Sequence, residues 1–199
     1  MTPITRRLAL ALVAAAMALP AAAEMTIGDD GLHKQPWMRD TFLDIGEDLA
    51  EAGAEGKRLV LFFEQRGCIY CREMHEEVFS DPAVSDYIEE NFFVVQLNLH
   101  GDREVVDVDG EALPEKAMAR KWNVLFTPSI VFLPEEAAED ASAASQAVAI
   151  MPGAFGKGTT LDMFTWVAEK RYAMVDETGE DFQRYHARRI QERADGSFD

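Results

Sequence analysis

The sequence predicts an α/β fold in which helices cover both faces of a central β-sheet. Continuous apolar runs at Arg58–Glu64, Phe92–Leu99 and Ser129–Leu133 have the composition of strands that are buried on both faces. Between these runs, apolar residues recur at helical spacing. Strands that alternate with helices in this order are typical of α/β proteins. This architecture alone does not identify a function.

Local sequence features predict each element on the amino-terminal side of the chain. Residues 24–36 mix Gly, Asp and Lys and are interpreted as an irregular lead-in. Apolar residues recur at helical spacing over Trp37–Leu49, and Gly53–Gly56 ends that predicted helix. Gln65–Gly67 turns the chain after the first apolar run, and a helix is expected over Cys68–Phe79.

The next helix begins at Asp81 and Pro82, because Asp is a favoured N-cap and Pro is favoured at the first helical position. It is expected to end near Asn91. The later elements are a hairpin turn at Asp109–Gly110, helices at Leu113–Trp122 and Thr160–Tyr172, an edge strand at Gln146–Met151, and a charged stretch at 176–199 that is either a surface helix or a disordered tail.

The first 23 residues have the order of a secretory signal peptide. Arg6 and Arg7 precede the uncharged apolar run Leu8–Leu19, and the small residues Ala21–Ala23 follow it. The alternative is a membrane anchor, but this run is shorter than the roughly 20 residues that span a bilayer. We therefore expect export, with cleavage after Ala23.

The remaining chain is predicted to comprise an extension with a helix at 24–56, a main domain at 57–173 and a charged tail at 174–199. The net charge of −17 repels nucleic acid and anionic lipid, so neither is expected as a partner. We expect the protein to be a monomer.

The chain has two cysteines, Cys68 and Cys71, at the junction of the first apolar strand and a helix. A disulfide between residues this close stabilises little, so reactivity explains the pair better than folding. The amino terminus of a helix favours a thiolate, and Arg66 and Arg72 flank the pair. Cys68 is therefore predicted as the exposed nucleophile and Cys71 as the resolving thiol of disulfide exchange. No cofactor beyond this redox-active disulfide is expected.

A metal site is the alternative use of the same cysteines. Cys68, Cys71 and His75 offer three ligands, and His100 is a candidate fourth for zinc or copper. In the preferred interpretation no metal is bound, and His75 packs on or near the helix surface.

The Cys68–Cys71 motif, the strand before it, and Thr127-Pro128 before the apolar strand Ser129–Leu133 resemble the thioredoxin superfamily. This resemblance implies a thioredoxin-like fold with a central mixed sheet, and a thioredoxin-like domain at 57–173. It also implies a cis Thr127–Pro128 bond and a substrate site that includes Thr127 and Pro128. The alternative is a trans proline that merely begins a strand. Separately from the resemblance, the aromatic side chain of Tyr70 is a candidate for apolar contact with a partner.

The segments Lys34–Trp37, Phe62–Gln65, Gly67–His75, Gln96–Asn98 and Gly101–Glu104 narrow the resemblance to the SoxW-type periplasmic thioredoxins of bacterial sulfur oxidation. That family implies a periplasmic reductase of exported protein disulfides that serves thiosulfate oxidation. It also implies a membrane thiol-electron transporter as the source of electrons. A disulfide oxidase or isomerase, and a metal-binding module, are the alternative functions.

Two departures from the thioredoxin pattern affect the site. Ile69 and Tyr70 stand between the cysteines where thioredoxin has Gly-Pro, so the redox potential is not transferable. Thioredoxins also carry a buried acid six residues before the first cysteine, and that position is Phe62 here. Glu64 is a candidate proton acceptor in its place, or else a solvated residue at the end of the strand.

Overall fold

A mixed five-stranded sheet forms the centre of the structure, a computed structural model that describes residues 25–196. The strands of this part of the chain are β1 (Thr26–Ile27), β2 (His33–Lys34), β3 (Met38–Arg39), β4 (Arg58–Glu64), β5 (Phe92–Asn98), β6 (Glu104–Val106), β7 (Ala112–Pro114), β8 (Ser129–Phe132) and β9 (Ala149–Pro152). The pairs β1–β2 and β6–β7 are separate antiparallel hairpins.

Side-chain caps begin several of the helices. Asp44, Asp81 and Asp181 each accept a backbone N–H of the first helical turn, which satisfies donors that have no partner within the helix. The helices are α1 (Ile45–Ala54), α2 (Ile69–Glu73), α3 (Pro82–Asn91), α4 (Glu115–Lys121), α5 (Lys157–Ala168), α6 (Val175–Thr178) and α7 (Phe182–Ala194). One π-helical turn, Met74–Val78, continues α2, and 3₁₀ turns lie at Ala143–Gln146 and Arg171–Met174.

The central sheet has the strand order β3-β5-β4-β8-β9. Both β3 and β4 run parallel to β5, whereas β8 runs antiparallel to β4, and β9 antiparallel to β8. All seven residues of β4 are buried, which explains why its sequence is continuously apolar rather than alternating. The predicted fold class, a mixed sheet with helices on both faces, is confirmed.

Successive residues of β4 point to opposite faces and so enter two separate cores. Val60 and Phe62 belong to the core that also includes residues of the π turn, α3 and α5. Leu59, Leu61 and Phe63 belong to the core that includes residues of α1 and α4. The strand is therefore packed on both faces, which fixes the position of its carboxyl end and of the turn that follows.

The helix expected over Trp37–Leu49 begins only at Ile45, so this prediction was wrong over its first eight residues. Trp37 and Ile45 belong to opposite cores, and Phe42 is 96% exposed, so the apolar spacing does not mark one helical face. Leu43 has a φ of 60°, which interrupts any helix, and β3 pairs with β5 instead.

The segment expected as an irregular lead-in and extension is part of the same folded unit. The hairpin β1–β2 lies within residues 24–36, β3 joins the central sheet, and α1 packs in one of the cores. The predicted signal peptide, residues 1–23, lies outside the described residues. Over residues 25–196, no helix has the length and apolar character that crossing a membrane requires.

The charged carboxyl-terminal stretch contains α7, which packs against α5. Tyr185 of α7 is 1% exposed, and the fully buried carboxylate of Asp162 on α5 accepts hydrogen bonds from Arg193 at 2.7 and 2.8 Å. The same carboxylate lies 2.6 Å from Nδ1 of His186. Burial would raise the pKa of Asp162, but the bonds from Arg193 and His186 outweigh it and hold the pKa below its usual range.

Asp162→Asn is expected to lower the free energy of unfolding by about 2 kcal/mol at pH 7, because it removes charge-assisted hydrogen bonds to α7. A lowered pKa contributes stability above the unfolded-state pKa, about 3.9, and that contribution is lost as the pH falls. The deficit should therefore shrink below about pH 4. Urea unfolding between pH 3 and pH 7 measures this difference in the free energy of unfolding. The control is Asp102→Asn, which removes an exposed carboxylate that pairs with Lys116. Equal effects of the two substitutions at pH 7 would contradict the anchoring role of Asp162.

Candidate active site

The turn after β4 places Cys68 at the amino terminus of α2. The N–H of Cys68 donates to the Gln65 carbonyl at 3.2 Å, and Gly67 has a φ of 73°, a conformation that favours glycine. Cys68 is the N-cap residue, and its Sγ accepts the backbone N–H of Cys71 at 3.1 Å. The sulfur therefore lies where helix N–H groups favour a thiolate.

Cys68 and Cys71 form a disulfide, and their Cα atoms are 5.2 Å apart. Cys68 is 7% exposed and Cys71 is 0% exposed. Cys68 is thus less open than the sequence-based prediction of an exposed nucleophile implies. Its sulfur is still the one of the two that an incoming group can reach, because Cys71 is covered completely.

The segment before β8 faces the disulfide. The Thr127–Pro128 peptide bond is cis, and the hydroxyl of Thr127 donates to Cys68 Sγ at 3.3 Å. The Pro128 carbonyl accepts the N–H of Gly153 at 2.8 Å, which ties this segment to the end of β9. Of the residues predicted for substrate binding, Thr127 therefore contacts the reactive sulfur directly.

Exposed apolar side chains occur in both segments that adjoin Cys68. Ile69 and Tyr70 are 60% and 63% exposed, and Leu125 and Phe126 are 65% and 52% exposed. Tyr70 was predicted to contact a partner, and it is accessible for that role. The sequence analysis did not identify Leu125 and Phe126. The sequence feature that could have indicated them is a pair of large apolar residues directly before Thr127-Pro128 and outside any predicted strand.

Glu64, at the end of β4, is 0% exposed. Its Oε1 lies 2.6 Å from His75 Nε2, and its Oε2 accepts the backbone N–H of His33 at 3.1 Å. The alternative of a solvated residue at the strand end is therefore wrong. The placement of His75 on or near the helix surface is also wrong, because His75 is 1% exposed and points inward from the π turn. Such turns are frequent at functional sites.

The hydrogen-bond partners assign the proton on the His75 imidazole. The amide nitrogen of Gln35 lies 3.2 Å from His75 Nδ1 and 3.5 Å from the His75 carbonyl oxygen, so it donates and Nδ1 accepts. The imidazole proton is then on Nε2, which donates to Glu64. Glu64 therefore accepts from the His75 ring through Oε1 and from the His33 backbone N–H through Oε2.

A cavity of about 140 Å³ lies beside Cys68. Its walls include His33, Arg72 and Ile69 together with the two glycines Gly31 and Gly67. Arg72 is about half exposed and contributes a positive charge near the disulfide. The carboxylate of Glu76, 3.8 Å from Arg72, partly offsets that charge. Arg66 packs against Gly31, where a Cβ atom would lie 2.5 Å from the Arg66 Nε.

The structure does not bring together the four residues considered for a metal site. His75 contacts Glu64, and the exposed His100 contacts Gln65 at 3.0 Å. Within residues 25–196, a different group, His33, Glu64 and His75, has its nitrogen and oxygen atoms within 4.8 Å of one another.

Residues 45–143, about half of the chain, match the thioredoxin-like domain family. Among solved structures, a thioredoxin from Thermus thermophilus is 26% identical, with a TM-score of 0.52, over 69% of this chain and 92% of that chain. A thioredoxin-fold protein from Helicobacter pylori is 20% identical, with a TM-score of 0.52, over 70% of this chain and 86% of that chain. No curated protein matches significantly.

The matched segment spans the strand β4, both cysteines and the cis Thr127–Pro128 bond. The observed fold agrees with the family match. This chain therefore belongs to the thioredoxin superfamily and is a thioredoxin-like thiol–disulfide oxidoreductase.

Proposed function

We propose that the protein reduces disulfide bonds in other exported proteins through the dithiol form of Cys68 and Cys71. The observation that carries this proposal is the unequal placement of the two sulfurs. Cys68 can be reached beside exposed apolar side chains, whereas Cys71 is fully buried on the same helix as His75. This arrangement suits one cysteine that engages a partner and one that resolves the product.

In the first step the Cys68 thiolate attacks one sulfur of the partner disulfide. A bond forms between Cys68 and that sulfur, the partner disulfide breaks, and the second partner sulfur leaves as a thiolate that takes a proton. The Cys71 N–H and the Thr127 hydroxyl both donate to Cys68 Sγ, and these contacts would stabilise the negative sulfur before attack.

In the second step Cys71 loses its proton and attacks Cys68 Sγ. The Cys68–Cys71 bond forms, and the bond from Cys68 to the partner breaks, so that the partner is released with both of its sulfurs reduced. Glu64 is the proposed acceptor of the Cys71 proton. It is a buried acceptor that His75 contacts, and Cys71 and His75 lie on adjoining turns of one helix.

The partner is proposed to lie across Thr127 and Pro128, with Tyr70 and the neighbouring apolar side chains in contact with it. Exposed aromatic and aliphatic groups around a reactive atom provide area for apolar contact, which does not require particular charged groups in the partner. Such a surface suits many unrelated protein segments, which is what a general reductase requires.

The cellular setting is proposed from the sequence. A cleaved signal peptide would deliver the protein to the periplasm as a monomer, where a membrane thiol-electron transporter would reduce Cys68–Cys71. The resemblance of Gly67–His75 and Lys34–Trp37 to SoxW-type thioredoxins supports the proposal that the reduced partners take part in thiosulfate oxidation.

Cys71→Ser is expected to accumulate a mixed disulfide between Cys68 and a protein substrate such as insulin, because attack can occur but release cannot. Non-reducing gel electrophoresis with mass spectrometry detects it. The control Cys68→Ser should form none. Full insulin-reducing activity of Cys71→Ser would contradict the two-step mechanism.

Glu64→Gln is expected to slow release of the mixed disulfide by about 100-fold, since general-base assistance contributes factors of this order. Formation of the mixed disulfide by Cys68 should be unchanged. Rapid-quench gels that separate the two steps measure both rates, with circular dichroism to verify folding. The control is Glu76→Gln, which changes an exposed carboxylate in the π turn that also carries His75. Equal release rates for the wild type and Glu64→Gln would exclude Glu64 as the acceptor.

A further inference from the structure

His33 connects the buried carboxylate of Glu64 to the surface of the molecule. Its backbone N–H donates to Glu64 Oε2, and its imidazole Nδ1 lies 3.4 Å from the same oxygen. That Nδ1 is buried and has no hydrogen-bond partner in the structure. The backbone of His33 is fixed, because its carbonyl accepts the Gln96 amide at 2.7 Å and β2 pairs with β1. The ring is thus held next to the carboxylate with one nitrogen unoccupied.

His33 is also part of the wall of the cavity beside Cys68, and its side chain keeps some exposed surface. The volume of about 140 Å³ is enough for several water molecules, each of which occupies about 30 Å³ in the liquid. Arg72 and His33 make this cavity polar, so water is a suitable occupant. Glu64 has no exposed surface, whereas the His33 side chain is 8% exposed. His33 therefore lies between a carboxylate without solvent access and a space that water can enter.

His75 does not offer the same connection. Both of its ring nitrogens are occupied, Nδ1 by Gln35 and Nε2 by Glu64, and its side chain has no exposed surface. Gln35 and Gln96, which contact His75 and His33, are amides and do not titrate at ordinary pH. The titratable and charged groups that bear on Glu64 are the two histidines and Cys71 on the helix of His75, with Arg72 across the cavity and Arg66 packed against its Gly31 wall.

We propose that His33 transfers protons between Glu64 and water in the cavity beside Cys68. This inference rests on the proposed function, in which Glu64 receives the Cys71 proton during release. The protonated carboxyl group gives that proton to His33 Nδ1 while His33 Nε2 gives its proton to water. Proton exchange with the cavity water then returns the ring to the tautomer with its proton on Nε2, so that Nδ1 can accept again. No electrons move in this transfer, and Glu64 returns to the carboxylate form needed for the next cycle. Since His33 acts through Glu64, it is a positioning and relay residue.

The test is chemical rescue of His33→Ala by imidazole. This substitution removes the ring and extends the cavity, so free imidazole has room to occupy the vacated space. We expect steady-state insulin reduction, with dithiothreitol as electron source, to fall by up to about 100-fold, and added imidazole to restore most of it. The rate at which Cys68 forms the mixed disulfide should not change. His100→Ala, which removes an exposed histidine near the same turn, should show neither the loss nor the rescue.

His33→Gln provides a second variant that keeps a polar side chain beside Glu64 but carries no transferable proton. It should lose turnover as His33→Ala does, and imidazole should not restore it because the space stays filled. Wild-type turnover by His33→Gln, or a folded His33→Ala that imidazole does not rescue, would overturn the relay. Failure of the wild-type protein to reduce insulin would instead overturn the proposed function, so the two failures are distinguishable.

Discussion

The burial of one carboxylate, that of Glu64, constrains the structure around the two cysteines. An ionised carboxylate without partners in a protein interior costs several kcal/mol, so the surrounding chain must supply donors. It does so from two directions: His75 contacts it from the helix that carries Cys71, and the His33 N–H contacts it from β2. The first contact ties the redox helix to the central strand. The second holds the amino-terminal hairpin over the end of the sheet, where it forms part of the cavity beside Cys68.

This constraint separates partner binding from proton transfer. Cys68, Thr127 and the exposed apolar residues beside them lie on the accessible side of the helix terminus, where the proposed partner would bind. Cys71, His75 and Glu64 have essentially no exposed surface, so the proposed transfer of the Cys71 proton to Glu64 would occur away from bulk water. Electrostatic effects are stronger in such surroundings than in water. In the proposed mechanism, a partner could therefore vary in sequence without a change in the groups that complete its reduction.

The sequence predicted well those features that depend on local chemistry. The bounds of β4 agree with the continuous apolar run Arg58–Glu64, and α3 begins where Asp81 and Pro82 indicate. Features that depend on distant contacts were not predictable in the same way. His75 points inward because Glu64 and Gln35, 11 and 40 residues away, supply its partners. The two-residue strand β3 is held by backbone pairing with β5, which leaves little trace in side-chain periodicity.

The central claim is that the Cys68–Cys71 pair donates electrons to other proteins, and its reduction potential tests this most directly. Equilibration of the purified protein with dithiothreitol or glutathione buffers, followed by thiol alkylation and mass spectrometry, gives the fraction reduced at each potential. We expect a value near the roughly −270 mV of thioredoxin, since a reductant must have a low potential. A value near the roughly −120 mV of strongly oxidising disulfide proteins would instead identify an oxidant and contradict the proposed direction of electron flow.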